Sequence, residues 1–144
     1  MEKRSRKLSD VLKRGYSDEE VSHVYELGRL YLESGDLAKA DSIFQGIVVV
    51  APDFWPAWLG LSYIAVVTER FDQALNSARS ALRVMPDSVE AVLFLVSSLI
   101  SSGDFNTAGS YLGEIAEKIE SGGVDNPNVI RFYRAQLARY ENRT

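Results

Sequence analysis

Apolar residues recur along this chain at helical intervals. Near the start, Leu8, Val11 and Leu12 stand at i, i+3 and i+4, the stripe of a short amphipathic helix ending near Gly15. Near the end, Val129, Phe132, Tyr133, Leu137 and Tyr140 mark one face of a helix that opens at Asp125-Asn126-Pro127 and runs to about Glu141. Between these two the pattern is periodic. Leu27, Leu61 and Leu95 are 34 residues apart, and so are Ala40, Ala74 and Ala108. Pro52-Asp53 recurs in the same register as Pro86-Asp87, and Gly35-Asp36-Leu37 recurs as Gly103-Asp104-Phe105, with Glu69-Arg70-Phe71 between them. Independent features in one register predict a stack of like units rather than one irregular core.

Each unit reads as two antiparallel helices. Small residues at Ala40, Ala74 and Ala108, and Gly28 in the first unit, let the second helix approach the first closely. Leu27, Tyr31 and Phe44 are expected to fill the space between them. Gly35 and Gly103 supply turns of positive φ. Pro52 and Pro86 end the second helices, because proline disfavours helix at the residue before it. Asp53 and Asp87 then read as N-caps of the helices that follow. Ser17-Asp18-Glu19-Glu20 is a capping box, which starts the first repeat helix at about residue 18. The fold class expected is all-α: a solenoid of three helix-turn-helix repeats (21–54, 55–88 and 89–122, within 17–122), preceded by a basic helical extension (1–16) and closed by a C-terminal capping helix (123–144).

These residues resemble the tetratricopeptide repeat, or TPR, family. Its pattern asks for a bulky residue, then Leu-Gly, Tyr, Ala, Phe, Ala and Pro at set offsets. The first repeat offers Val24, Leu27-Gly28, Tyr31, Ala40, Phe44, Ile47 and Pro52. The second offers Trp58, Leu61, Ala65, Ala74, Ala78, Ala81 and Pro86, with Ser62 where glycine is usual. The third offers Val92, Leu95, Leu99, Ala108, Leu112 and Ile115, and ends at Gly122-Gly123 instead of proline.

Composition narrows the chemistry. With 46% apolar residues and no cysteine, the chain can bury a core but can form no disulfide, thiolate nucleophile or Cys-based zinc site. Its one histidine, His23, has no second histidine to join as base or ligand, and pairs such as Glu114 with Glu117 fall on expected exposed faces. No Gly-rich phosphate loop is present. The expectation is a protein without catalytic activity, metal or cofactor. Net charge is unevenly spread: +4 over 1–14, −11 over 15–130 and +3 over 131–144. An acidic body opposes nucleic-acid binding, which needs clustered cations. No segment reads as a signal peptide, and the most apolar runs, Ile43–Ala51 and Ala91–Ile100, are far short of the roughly 20 residues that span a bilayer. A soluble, cytoplasmic protein with no stable membrane insertion is expected.

The TPR resemblance implies that first helices line a concave groove. The inward positions are then Tyr25, Arg29 and Leu32 in the first repeat, Leu59, Tyr63 and Val66 in the second, and Leu93, Phe94, Ser97 and Ile100 in the third. This set is mostly aliphatic and aromatic, and of the Lys, Asn and Arg that one TPR subclass uses to clamp a chaperone's terminal carboxylate it offers only Arg29, so that clamp is missing. It suits a protein or peptide client with apolar anchors. A terminal helix of the same chain, or a dimer partner, is the competing occupant of the groove.

A narrower resemblance rests on Ser17-Asp18-Glu19-Glu20, Tyr25-Glu26-Leu27, Tyr31 to Ala40, Ile43-Phe44, Phe54-Trp55 and Trp58-Leu59-Gly60-Leu61. These look like the TPR-class chaperones of bacterial type III secretion. That implies a hydrophobic secreted client, a translocator, held soluble and export-competent without ATP. A needle subunit as client, or a generic TPR interaction scaffold, is the alternative. In such families the N-terminal helix mediates homodimers, so Leu8, Val11 and Leu12 are candidate dimer contacts. A co-chaperone is the other partner implied.

Overall fold

A computed structural model describes residues 15–143 of the chain. Within them the chain forms seven α-helices and no strand: α1 (Asp18–Glu33), α2 (Leu37–Val50), α3 (Trp55–Val67), α4 (Phe71–Val84), α5 (Val89–Ser102), α6 (Phe105–Glu120) and α7 (Pro127–Glu141). Consecutive helices pack pairwise, and α3 also packs on α5 and α5 on α7. This is a TPR-like solenoid of three helix pairs. First helices α1, α3 and α5 are followed by second helices α2, α4 and α6, and α7 stands where a fourth first helix would.

The 34-residue period is a period of turns. Asp36, Arg70 and Asp104 donate their backbone N–H groups to the carbonyls of Tyr31, Ala65 and Leu99, at 2.9, 2.7 and 2.9 Å. Each bond spans five residues, which requires a left-handed residue in front of the donor. Gly35 and Gly103 take that conformation at φ +87° and +89°. In the second repeat the same place is held by Glu69 at φ +60°, a conformation that costs a side-chain-bearing residue about 1–2 kcal/mol. Asp36 and Asp104 then cap α2 and α6, accepting from the N–H groups of Lys39 and Thr107. Arg70 cannot cap α4 in this way, and instead reaches Asp41 at 3.8 Å.

The expected capping box forms: Ser17 Oγ accepts from Glu20 N–H at 3.1 Å, and Glu20 accepts from Ser17 N–H at 2.9 Å. Asp53 and Asp87 do not cap. The cap of α5 is Ser88, which accepts from Ala91 N–H, and Phe54 precedes α3 with no side-chain cap. Proline explains the shift: it ends the second helix, but the linker runs two residues past it before the next helix begins.

The alanines do as their size demands. Ala40, Ala74 and Ala108 are wholly buried. Phe44 is the wedge of the first half of the core, and two glycines make room for it. A Cβ on Gly28 would sit 2.6 Å from one edge of its ring, and a Cβ on Gly60 would sit 2.6 Å from the other. The ring therefore locks adjacent first helices α1 and α3 together. Leu27, expected in the same interhelical space, is instead 46% exposed. Its counterparts Leu61 and Leu95 are 4% and 3% exposed, because each meets the second helix of the repeat before it.

Candidate functional site

The inner positions of α1 and α3 form an apolar surface. Tyr25 is half-buried, its ring centroid 5.6 Å from that of Phe44 and 5.3 Å from that of Phe54. Leu32, Leu59 and Val66 are also half-buried, while Tyr63 is 43% exposed. The partial burial is what an anchor site needs. Each side chain is held on one flank by the core and presents the other.

Charge is sparse and internally matched here. Burial pushes the Tyr25 hydroxyl above its ordinary range, Arg29 opposes the shift, and Glu26 and Glu90 reinforce it. Glu90, the smallest of these influences, comes from α5. Arg29 bonds Glu33 at 2.6 Å and Glu26 at 3.2 Å, and Glu33 above all holds its guanidinium charged. The one cation among the expected groove residues is thus already paired on its own helix. A carboxylate from a partner would have to exchange with Glu26 or Glu33.

The third repeat differs from expectation. Leu93, Phe94, Ser97 and Ile100 are all buried. Phe94 and Ser97 meet α7, which packs beside α5. The Phe132 ring lies 5.1 Å from that of Phe94. Arg139 donates to Ser97 Oγ at 3.0 Å and to Ser101 Oγ at 2.8 Å, and its orientation is fixed by Gln136 Oε1 at 2.8 Å. Residue numbers rise together in the two helices, so α7 runs parallel to α5 as a further first helix. The expected inward positions that stay partly or largely exposed are those of α1 and α3. Among the competing occupants, the C-terminal helix takes the third-repeat end. Leu8, Val11 and Leu12 lie outside the described residues.

A second apolar surface was not foreseen. Val24, Leu27, Leu30 and Val49 are exposed on α1 and α2. Beside them Tyr16, Val21, Val24, Ile43, Gly46 and Val50 are among the residues that line a cavity of about 450 Å³. Among the described residues no second helix precedes α1 to cover Leu27. His23 is exposed on α1. No helix of the described residues is long and apolar enough to cross a membrane.

No family model matches the chain. The peroxisomal targeting signal receptor of Saccharomyces cerevisiae is 29% identical to it over 96 residues. The match takes in 66% of this chain and 16% of the receptor, so the chain corresponds to a small part of that protein. The likeness and the paired-helix packing agree on a TPR-like fold.

Proposed function

We propose that this chain is a non-catalytic protein-interaction module whose groove along α1 and α3 binds a segment of another polypeptide. The observation that carries the reading is Tyr63, 43% exposed on α3, with half-buried Leu59 and Val66 on the same helix and Tyr25 and Leu32 on α1. Tyrosine is a favoured anchor because it offers a large stiff face and a polar tip. The matched charges on Arg29 leave apolar contact as the main source of affinity, at roughly 1.5–3 kcal/mol per buried Leu-sized anchor. The similar yeast protein is by name a receptor for a targeting signal, which supports a role in binding other polypeptides for the matched stretch.

The finer reading is that of a chaperone. The residues of the first repeat that resemble type III secretion chaperones, with the apolar groove, favour a hydrophobic secreted client kept soluble before export. Such a protein acts by mass action, lowering the free concentration of an aggregation-prone chain.

The test compares wild type with Tyr63→Glu in affinity purification and mass spectrometry from the native cell. Leu93 is an unsuitable target, since a charge at a fully buried position would unfold the protein. A partner retained by wild type and reduced roughly tenfold or more by the folded variant supports the groove as the site. Equal recovery by both places binding elsewhere. Co-expression then separates chaperone from scaffold: a chaperone's client is insoluble without it, and a scaffold's partner is not.

A further inference from the structure

A second cavity opens at the N-terminal ends of three successive first helices. It holds about 330 Å³, and Trp55 at the start of α3, Glu90 in the first turn of α5 and Val129 in the first turn of α7 are among the residues that line it. Met85, Asp87 and Asp125 join them from the linkers between helices. The wall is mainly apolar, with Trp55 and Val129 half-buried and Met85 exposed. Its charge is all of one sign. Asp87, Glu90 and Asp125 are exposed, no lining residue is basic, and none of the three carboxylates pairs with a cation of the described residues. Glu26, Glu33, Asp36 and Asp41 each have such a partner. A carboxylate in the first turn of a helix offsets the helix dipole, which accounts for Glu90. Asp87 and Asp125 have no such duty, because Ser88 and Asn126 cap α5 and α7.

We propose, resting on the groove of α1 and α3 as the polypeptide-binding site, that this cavity receives a lysine or arginine side chain of the bound polypeptide. Trp55, Leu59 and Tyr63 stand at i, i+4 and i+8 on α3, so Trp55 extends the stripe of groove residues toward the start of that helix. The aliphatic stem of a basic side chain suits the apolar wall, and its cationic head suits an indole face and three unpaired carboxylates. An acidic side chain would be repelled there, and a neutral one would leave the carboxylates unmatched. Tyr63 lies eight residues beyond Trp55, a rise of roughly 12 Å along the helix. An extended segment covers that distance in about four residues. The basic residue therefore falls about four positions from the apolar anchor that meets Tyr63.

Random short peptides displayed on phage are selected on the full-length protein in physiological salt, which screens distant charges. Parallel selections use a triple variant, Asp87→Asn with Glu90→Gln and Asp125→Asn, and a control, Glu114→Gln with Glu117→Gln, which removes charge from α6 instead. All five carboxylates are exposed, so each variant should keep its helices, which circular dichroism checks. Wild type and control are expected to select peptides with a lysine or arginine about four residues from an apolar anchor. The triple variant is expected to select the anchor without the basic residue. For one such synthetic peptide, exchanging the basic residue for glutamine should weaken binding to wild type roughly tenfold, and to the triple variant less than about twofold. Apolar anchors with no basic residue on wild type overturn this proposal and leave the groove reading standing. Basic residues that persist on the triple variant, or that vanish equally from the control, overturn it in favour of attraction to the acidic body as a whole. Wild-type selections that Tyr63→Glu leaves unchanged, or that yield no peptide, overturn the groove reading and the proposal with it.

Discussion

The two ends of this solenoid meet the same physical problem and meet it differently. A repeat buries its inner face on its neighbours, so a terminal repeat leaves one face uncovered. At the C-terminal end α7 covers it: Phe132 packs at a tilt against Phe94, and Arg139 ties Ser97 and Ser101. At the other end, Val24, Leu27, Leu30 and Val49 stay exposed among the described residues, beside a cavity of about 450 Å³. At that closed end Leu93, Phe94, Ser97 and Ile100 are buried. The difference shows that a helix added in the position of a further first helix takes up inner positions of the kind that α1 and α3 leave partly open.

The largest expected effect contrasts one leucine in two settings. Leu61→Ala should destabilise by about 2–5 kcal/mol, since it opens a cavity between repeats. Leu27→Ala, at the half-exposed equivalent, should cost about 1 kcal/mol. Denaturant unfolding of both measures this, and equal costs would break the comparison. At the closed end, Arg139→Met should lower stability by about 1–2 kcal/mol through loss of its hydrogen bonds to the α5 serines. Hydrogen exchange on the Arg139→Met protein should show amide exchange speeded more in α7 than in α1, and an equal change in both would count against this tie.

A smaller effect lies between the ends. Glu69→Gly should raise stability by about 1 kcal/mol, because it relieves the left-handed strain that Gly35 and Gly103 avoid. A thermal melt checks it, and a loss of stability would mean that the Glu69 side chain contributes more than its strain costs. The smallest effect is a pH dependence at the groove. The Tyr25 hydroxyl has a folded-state pKa raised above 10.0, mainly by burial. The folded protein then holds that proton more tightly than the unfolded chain does. Stability from this group is full below the unfolded value and falls as pH rises through the window above it. Tyr25→Phe should flatten that decline, which unfolding curves at rising alkaline pH would read.

Much of the fold was legible because it is local and repeated. Gly35 and Gly103 stand where a five-residue carbonyl bond needs positive φ, and Ala40, Ala74 and Ala108 stand where helices meet without room for more. The caps of α3 and α5 were less legible. Asp53 and Asp87 have the right chemistry but sit inside a linker whose length only the packed helices fix, so Ser88 serves in one case and no side chain in the other. Among the expected inward positions, Tyr25, Leu32, Leu59, Tyr63 and Val66 are half-buried or exposed, while Leu93, Phe94, Ser97 and Ile100 are buried, a difference set by neighbouring helices and not by residue type.

The sequence alone determined the period, the helix pairing and the apolar character of the inner face, because turn geometry and side-chain size act between residues close along the chain. Only the tertiary structure decided which copies of a repeated position meet water. Leu27, Leu61 and Leu95 are the same residue in the same register, yet one is half exposed and two are buried. Exposure depends on what stands on either side of a repeat, and that neighbour is supplied by the stack, not by the repeat's own residues.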